Sequence, residues 1–285
     1  MKNNLKTAVL LAAIGGLLVV AGGGLAGRLG AVIGLGIGLL LVGGSYWFSD
    51  KLAIRSARAV EVSEQQMPRF YAIVRDLCAR AELPMPRLYL SPDPQPNAFA
   101  TGRNPHHAAV CVNQGILDIL SWDELQGVLA HEISHVRNYD ILISSVAAAV
   151  AMGITLLARM AMWGAMFGGG GGRDRNDNIF GTLALMILAP IAAMLLQVAL
   201  SRSREFEADR RGAKLLDDGE PLARALEKLE RGVLAVPSDV NPAQAQAYIA
   251  NPLAGRKVMF GNLFSTHPPM DERIRRLRAG EWRGI

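Results

Sequence analysis

The chain has 285 residues, 30 of them Lys or Arg against 25 Asp or Glu, with 51% hydrophobic and only 19% charged. An ordinary soluble domain carries about a quarter charged residues. The composition excludes a disordered polyelectrolyte, a small scaffold that needs staples and a typical charged cytosolic enzyme. Cys78 and Cys111 are too few for a disulfide framework or a four-cysteine metal site. Histidine chemistry has to come from His106, His107, His131, His135 and His267.

Thr7 to Gly27 contains no charge, and after Arg28 a second uncharged run extends from Leu29 to Ser49, each 21 residues long. About 20 helical residues cross the hydrocarbon layer, so the two runs predict an N-terminal transmembrane hairpin. The second run follows at once, which argues against a cleaved signal peptide despite Lys2 and Lys6. Gly22, Gly23, Gly24 and Gly27, then Gly30, Gly34 and Gly38, suit close helix packing.

Glu64 to Leu83 has the apolar period of a helix, with Met67, Phe70, Val74, Leu77 and Ala81 on one side. Proline-rich sequence follows from Pro84 to Pro96. Arg87–Leu90, Asn97–Thr101 and Ala108–Val112 read as short strands of a small antiparallel sheet. Cys111 reads as a buried small hydrophobe, and His106 and His107 as solvated loop residues beside Pro105.

Ser121 and Glu124 fit a capping box, with Leu120 and Leu125 at the hydrophobic-staple positions. Leu125, Val128, Leu129, Ile133 and Val136 then mark an amphipathic helix. Beyond it, Ile141–Ala158 (18 residues) and Asn178–Ser201 (24 residues) are two further uncharged runs. Between them lie Arg159, five consecutive glycines and the polar stretch Arg173–Asp177. They predict an inserted apolar helical hairpin over 141–200 that spans the bilayer or dips into it. Lys2 and Lys6, then Lys51, Arg55 and Arg58, then Arg202 and Arg204 outnumber the basic residues of the two short turns. The excess places both termini and the large polar segments on the cytoplasmic side.

His131-Glu132-Ile133-Ser134-His135 is H-E-x-x-H. On a helix the two histidines stand one turn apart and can converge on one zinc ion, with Glu132 beside them as proton acceptor. A catalytic zinc normally keeps three protein ligands. His267, Asp140 and Glu205 are the available thirds. In Arg204-Glu205-Phe206-Glu207-Ala208-Asp209, Glu205 and Asp209 share a helical face and Glu207 points elsewhere. Asp209 can accept a hydrogen bond from a ligand imidazole and fix its tautomer.

HEISH, SRSREFEAD and STHPP together resemble the HtpX-type membrane zinc metalloproteases, which are related to the CAAX prenyl endopeptidases. The resemblance runs through nearly the whole chain. It implies an α+β fold: a mainly helical gluzincin-like protease domain with a small sheet, the N-terminal hairpin and the inserted hairpin. Residues 1–50 would form the hairpin domain, and 51–285 the protease domain interrupted at 141–200. It further implies His131, His135 and Glu205 as ligands of one Zn2+ per chain, Glu132 as catalytic base and Asp209 as a supporting residue. Asn97, Ala98, Phe99 and Ala100 match a family strand that pairs with extended substrates. His267, before Pro268-Pro269, matches a segment near the catalytic region and can donate to the oxyanion.

Arg273, Arg275, Arg276 and Arg278 on the following helix read as facing solvent or lipid headgroups, with no nucleic acid expected. The expected activity is hydrolysis of peptide bonds in damaged or misassembled membrane proteins, within the bacterial inner membrane and with the active site facing the cytoplasm. Partners are then protein or peptide substrates and the lipid bilayer, with oligomeric state left open. The alternatives are a prenyl-protein (CAAX-type) endopeptidase, disfavoured by the lack of sequence for a large intramembrane chamber, and a non-catalytic zinc-bearing scaffold.

Overall fold

The computed structural model of the protein describes residues 2–144, 146, 202–235, 248–249 and 268–284, with several side chains before position 50 outside the description. Most of the apolar hairpin expected over 141–200 lies outside the described residues, as does His267.

Lys2–Ser56 is helical (α1). It is not one straight rod. Gly27 has φ +57, and a Cβ built on Gly23 would lie 3.5 Å from the Cβ of Ala31. Eight residues of straight helix advance about 12 Å, so the chain folds back at Gly27, where only glycine takes the left-handed conformation without cost. The reversal falls where the two uncharged runs meet. On the returning arm Gly30, Gly34 and Gly38 are buried. Leu29, Val32, Ile33 and Leu39 are exposed there, and Leu40 is 76% exposed. Among the described residues no helix is long and apolar enough to cross a membrane.

Four strands form one sheet in the order β1-β2-β4-β3. β1 (Val60–Glu61) is antiparallel to β2 (Arg87–Ser91), β2 is parallel to β4 (Ala108–Asn113), and β3 (Ala98–Gly102) is antiparallel to β4. The expected antiparallel sheet is therefore mixed. The proline-rich segment after β2 carries the chain to the far edge, and a 3-10 turn over Pro105–His107 brings it back inside. β4 thus inserts between β2 and β3 and runs alongside β2. The last turn of α1, with Ala53 and Ile54, and Ala57 just beyond it cover Tyr89, Phe99 and Cys111 on one face of the sheet.

Helices cover the other face. α2 is Pro68–Ala81, shorter than the expected Glu64–Leu83. Pro68 at the first turn fixes its start, and Glu82, at φ 54, ends it. Val60–Glu61 and the short α3 (Gln114–Ile119) were not expected from the sequence pattern. α4 (Trp122–Arg137) begins with the expected capping box, Ser121 N donating to Glu124 Oε2 at 2.7 Å and Glu124 N to Ser121 Oγ at 3.3 Å. Leu120 and Leu125 are both buried beneath this start. Phe70, Leu77, Leu88, Val110, Leu129 and Leu226 belong to the continuous core around α4.

α5 (Arg202–Leu216) and α6 (Glu220–Ala235) pack against α4, and α7 (Met270–Arg278) packs against α5 and α6. The α4–α5 approach is close because α5 presents Gly212. A Cβ there would stand 2.9 Å from the backbone nitrogen of His131. Glu205, Asp209 and Gly212 lie at i, i+4 and i+7 on α5, so one helical stripe carries both carboxylates against α4.

Candidate active site

α4 turns His131 and His135 to the same side, and their Nε2 atoms lie 3.2 Å apart. From α5, Glu205 Oε1 lies 3.5 Å from His135 Nε2, and Glu205 Oε2 lies 3.7 Å from His131 Nε2. The ligand-capable atoms of these three residues all fall within 4.8 Å of one another. His131 and Glu205 are buried, and His135 is nearly so.

The donor set fits a zinc ion. Each Nδ1 has a carboxylate close by: His135 Nδ1 is hydrogen-bonded to Asp140 Oδ2 at 3.2 Å, and His131 Nδ1 is 2.9 Å from Asp209 Oδ1, near enough for a bond but out of line for one. A proton held on each Nδ1 leaves two Nε2 lone pairs pointing at each other beside a carboxylate, an arrangement that calls for a cation. Tetrahedral zinc with bonds of about 2.0–2.1 Å separates neighbouring ligand atoms by about 3.4 Å. The observed spacings bracket that value.

Glu132, on the same turn, is also buried, and one of its oxygens accepts a hydrogen bond from Ala100 N at 2.9 Å. Burial raises its pKa above the ordinary glutamate value, and the neighbouring histidines only partly oppose this. For His135 burial acts downward, but Asp140, Glu205 and Glu132 outweigh it and bring its pKa to about 9. The cluster is thus anionic enough to hold either protons or a metal.

The backbone explains how Asp140 arrives there. α4 is capped by Asn138, and Tyr139 takes φ +60, which turns the chain back so that Asp140 faces the helix it has just left. Asp140 therefore backs His135 rather than standing among the three converging ligand atoms. Arg204 Nη1 lies 4.0 Å from Asp140 Oδ1, so this arginine, expected as an interfacial charge, is turned into the protein.

The strand expected to touch substrate divides in two. Ala100 places its backbone N–H on Glu132, and β3 is the sheet edge nearest the histidines. Asn97 is buried, and its Oδ1 accepts a hydrogen bond from Ile249 N at 3.0 Å. Ala98 and Phe99 are also buried, Phe99 against the end of α1. Glu207 points away, as expected, and pairs with Arg210 and Arg211.

The expected solvent-facing arginine cluster fails at Arg273. This side chain is fully buried and grips Asp209 with two hydrogen bonds, Nε to Oδ2 at 2.8 Å and Nη2 to Oδ1 at 2.7 Å. It also donates to Ile249 O at 3.3 Å and lies 3.9 Å from Glu205 Oε2. Burial raises the Asp209 pKa, but Arg273 and His131 overcome this and leave it below the ordinary aspartate value. Sequence reasoning missed Arg273. The available signal was that a buried Asp209 needs a cation. Arg276, by contrast, lies over the Phe206 ring and pairs with Glu272, and Arg278 pairs with Glu220 and Glu227.

Residues 64–281 match the family model described as Peptidase family M48. The "Protease HtpX homolog" of Syntrophobacter fumaroxidans is 52% identical over 283 residues, covering 98% of this chain and 100% of that protein. The proteins of the same description from Syntrophotalea carbinolica and Burkholderia thailandensis are 53% and 50% identical, over 96% and 97% of this chain and 98% and 96% of theirs. Among solved structures, the crystal structure of S. mikatae Ste24p has a similar fold, with a TM-score of 0.53 at 17% identity. The likeness covers 97% of this chain and 65% of that one. The mainly helical fold, the small mixed sheet and the convergent histidine–glutamate cluster thus have their counterpart in sequence: the chain belongs to peptidase family M48 and is a protease of the HtpX type.

Proposed function

We propose that the protein is a membrane-bound zinc endopeptidase that cuts damaged or misassembled membrane proteins, with one zinc ion per chain held by His131, His135 and Glu205. The observation that carries this reading is the convergence of both Nε2 atoms and the Glu205 carboxylate directly beside Glu132. Zinc, when bound there, supplies Lewis acidity that makes water a nucleophile near neutral pH and polarises a carbonyl. Glu132 takes the proton of the attacking water and passes it to the leaving amine. Asp209 and Asp140 keep the imidazoles turned with Nε2 inward. β3 offers its outer edge to an extended peptide, and Ala100 is its contact nearest the scissile bond. His267 is proposed as a donor to the tetrahedral oxyanion.

The membrane part of the reading has its own support. The returning arm of α1 buries glycines and exposes leucines, the inverse of a soluble helix and the pattern expected of a helix that packs on another within lipid. Residues 1–50 form the anchoring hairpin, and 51–285 the protease domain with its insertion at 141–200. The flanking basic residues put the site on the cytoplasmic face of the bacterial inner membrane.

Cleavage of an unfolded test protein by the purified full chain tests the enzymatic reading. Activity should disappear with a chelator and return on adding zinc. Undiminished cleavage by protein shown to be metal-free would overturn it.

A further inference from the structure

Each imidazole of the site has an aspartate beside its Nδ1, and each aspartate has an arginine beside it. His131 Nδ1 faces Asp209, which is held by Arg273, and His135 Nδ1 faces Asp140, which lies by Arg204. We propose that Arg273 and Arg204 are positioning residues that act through these aspartates to set the orientation of the two metal-binding histidines. The proposal rests on the reading that His131, His135 and Glu205 hold zinc.

The Arg273 arm is the stiffer one. A carboxylate held by a single contact can rotate about its terminal bond, whereas a guanidinium fork that bonds both oxygens fixes its plane. Arg273 Nε and Nη2 each take a different oxygen of Asp209, and Oδ1 is also the atom that faces His131. The fork is itself anchored by Ile249 O and packed against Met270. The orientation of His131 thus depends on α7 and on a residue from the segment between α6 and α7.

Burying a guanidinium completely is costly, and a well-packed apolar side chain would often serve stability as well. A role at the metal explains why an arginine stands at this position.

The Arg204 arm ties different parts together. Asp140 immediately follows the left-handed turn at Tyr139, and Arg204 immediately precedes the proposed ligand Glu205. Their approach links the end of α4 to the start of α5, the two points from which the apolar insertion leaves and rejoins the domain. At 4.0 Å this contact is looser than the fork on Asp209, so it should contribute less.

The test compares full-length wild type with Arg273→Met, Arg273→Lys, Arg204→Met and the surface variant Arg278→Ala. Zinc affinity is measured by chelator competition, and the visible absorption of the fully Co2+-loaded proteins reports ligand geometry. Loss of the outer partner of a metal ligand weakens binding about 10–100-fold. Arg273→Met should fall in that range and Arg204→Met at or below its lower end, with Arg278→Ala matching wild type. Lysine keeps the charge but not the fork, so Arg273→Lys should show both weaker zinc binding and altered Co2+ bands. Thermal unfolding of the metal-free proteins identifies a variant that does not fold, in which case Arg273→Lys carries the decision. Arg273→Lys and Arg204→Met with wild-type zinc affinity and wild-type Co2+ spectra would overturn the proposal alone. A wild-type chain that takes up no zinc would overturn it together with the metal site.

Discussion

The backbone N–H of Ala100 donates to Glu132 Oε2 at 2.9 Å, joining the edge strand β3 to the carboxylate beside the two histidines. The N–H points away from β4, so proline at this position sacrifices no bond of the β3–β4 ladder. Ala100→Pro should leave metal content unchanged and lower proteolysis by at least about ten-fold, since a lost charge-assisted hydrogen bond is worth about 1.5–3 kcal/mol. Metal analysis and a cleavage assay on the same preparation check this. Wild-type cleavage by the proline variant would remove β3 from the mechanism.

Gly212 bears on how the metal site is assembled. Alanine would place a carbon 2.9 Å from His131 N, closer than backbone permits, so α5 has to move away from α4. Gly212→Ala should destabilise the fold by about 1–3 kcal/mol and weaken zinc binding, although alanine is the better helix former. Chemical denaturation with and without zinc separates the two effects. A more stable variant with unchanged zinc affinity would contradict the close α4–α5 approach.

Glu205 and Glu207 are two residues apart and should behave differently. Glu205→Gln should lose most of its zinc and activity, while Glu207→Gln should keep its zinc at neutral pH. Arg210 leads in lowering the Glu207 pKa to about 2, with Arg211 assisting. A depressed carboxylate pKa stabilises the folded state above the unfolded value of about 4.5, and this contribution is lost as pH falls towards 2. With solvent screening it amounts to about 1 kcal/mol. The pH dependence of unfolding between about 4.5 and 2 should therefore be shallower in Glu207→Gln than in wild type, and an unchanged slope would discount the Arg210–Glu207–Arg211 cluster.

Residues close in sequence made much of the site legible. The capping box, the H-E-x-x-H turn and the Glu205–Asp209 spacing each follow from one helix and its 3.6-residue period. The fold-back at Gly27 coincides with the junction of two uncharged runs for a similar reason. What escaped depends on distant partners. The parallel pairing of β2 with β4 is decided by the route of the proline-rich connection, which has no periodic signal. Arg273 meets Asp209 from 64 residues away, and in sequence it looks like its exposed neighbours Arg275 and Arg278. Asn97 Oδ1 accepts a hydrogen bond from Ile249 N, 152 residues away, a contact no local pattern encodes.

Membrane topology can be tested directly with single cysteines at Asn176 and Glu220 in a background lacking Cys78 and Cys111. In inner-membrane vesicles of known orientation, an impermeant thiol reagent should label Glu220→Cys from the cytoplasmic face and Asn176→Cys from the other. Labelling of both from one side would show that the insertion dips into the bilayer without crossing it. Glu220→Cys labelled from the periplasmic face would reverse the orientation.

In the proposed mechanism Glu132 moves the proton while His131, His135 and Glu205 hold the metal. Zinc content and cleavage rate measured together on one preparation of Glu132→Gln test it most directly, because glutamine keeps the shape of the side chain and removes only the proton acceptor. The variant should retain about one zinc per chain and lose about 10²–10⁴-fold in cleavage rate. Wild-type cleavage by the zinc-loaded variant would contradict the account.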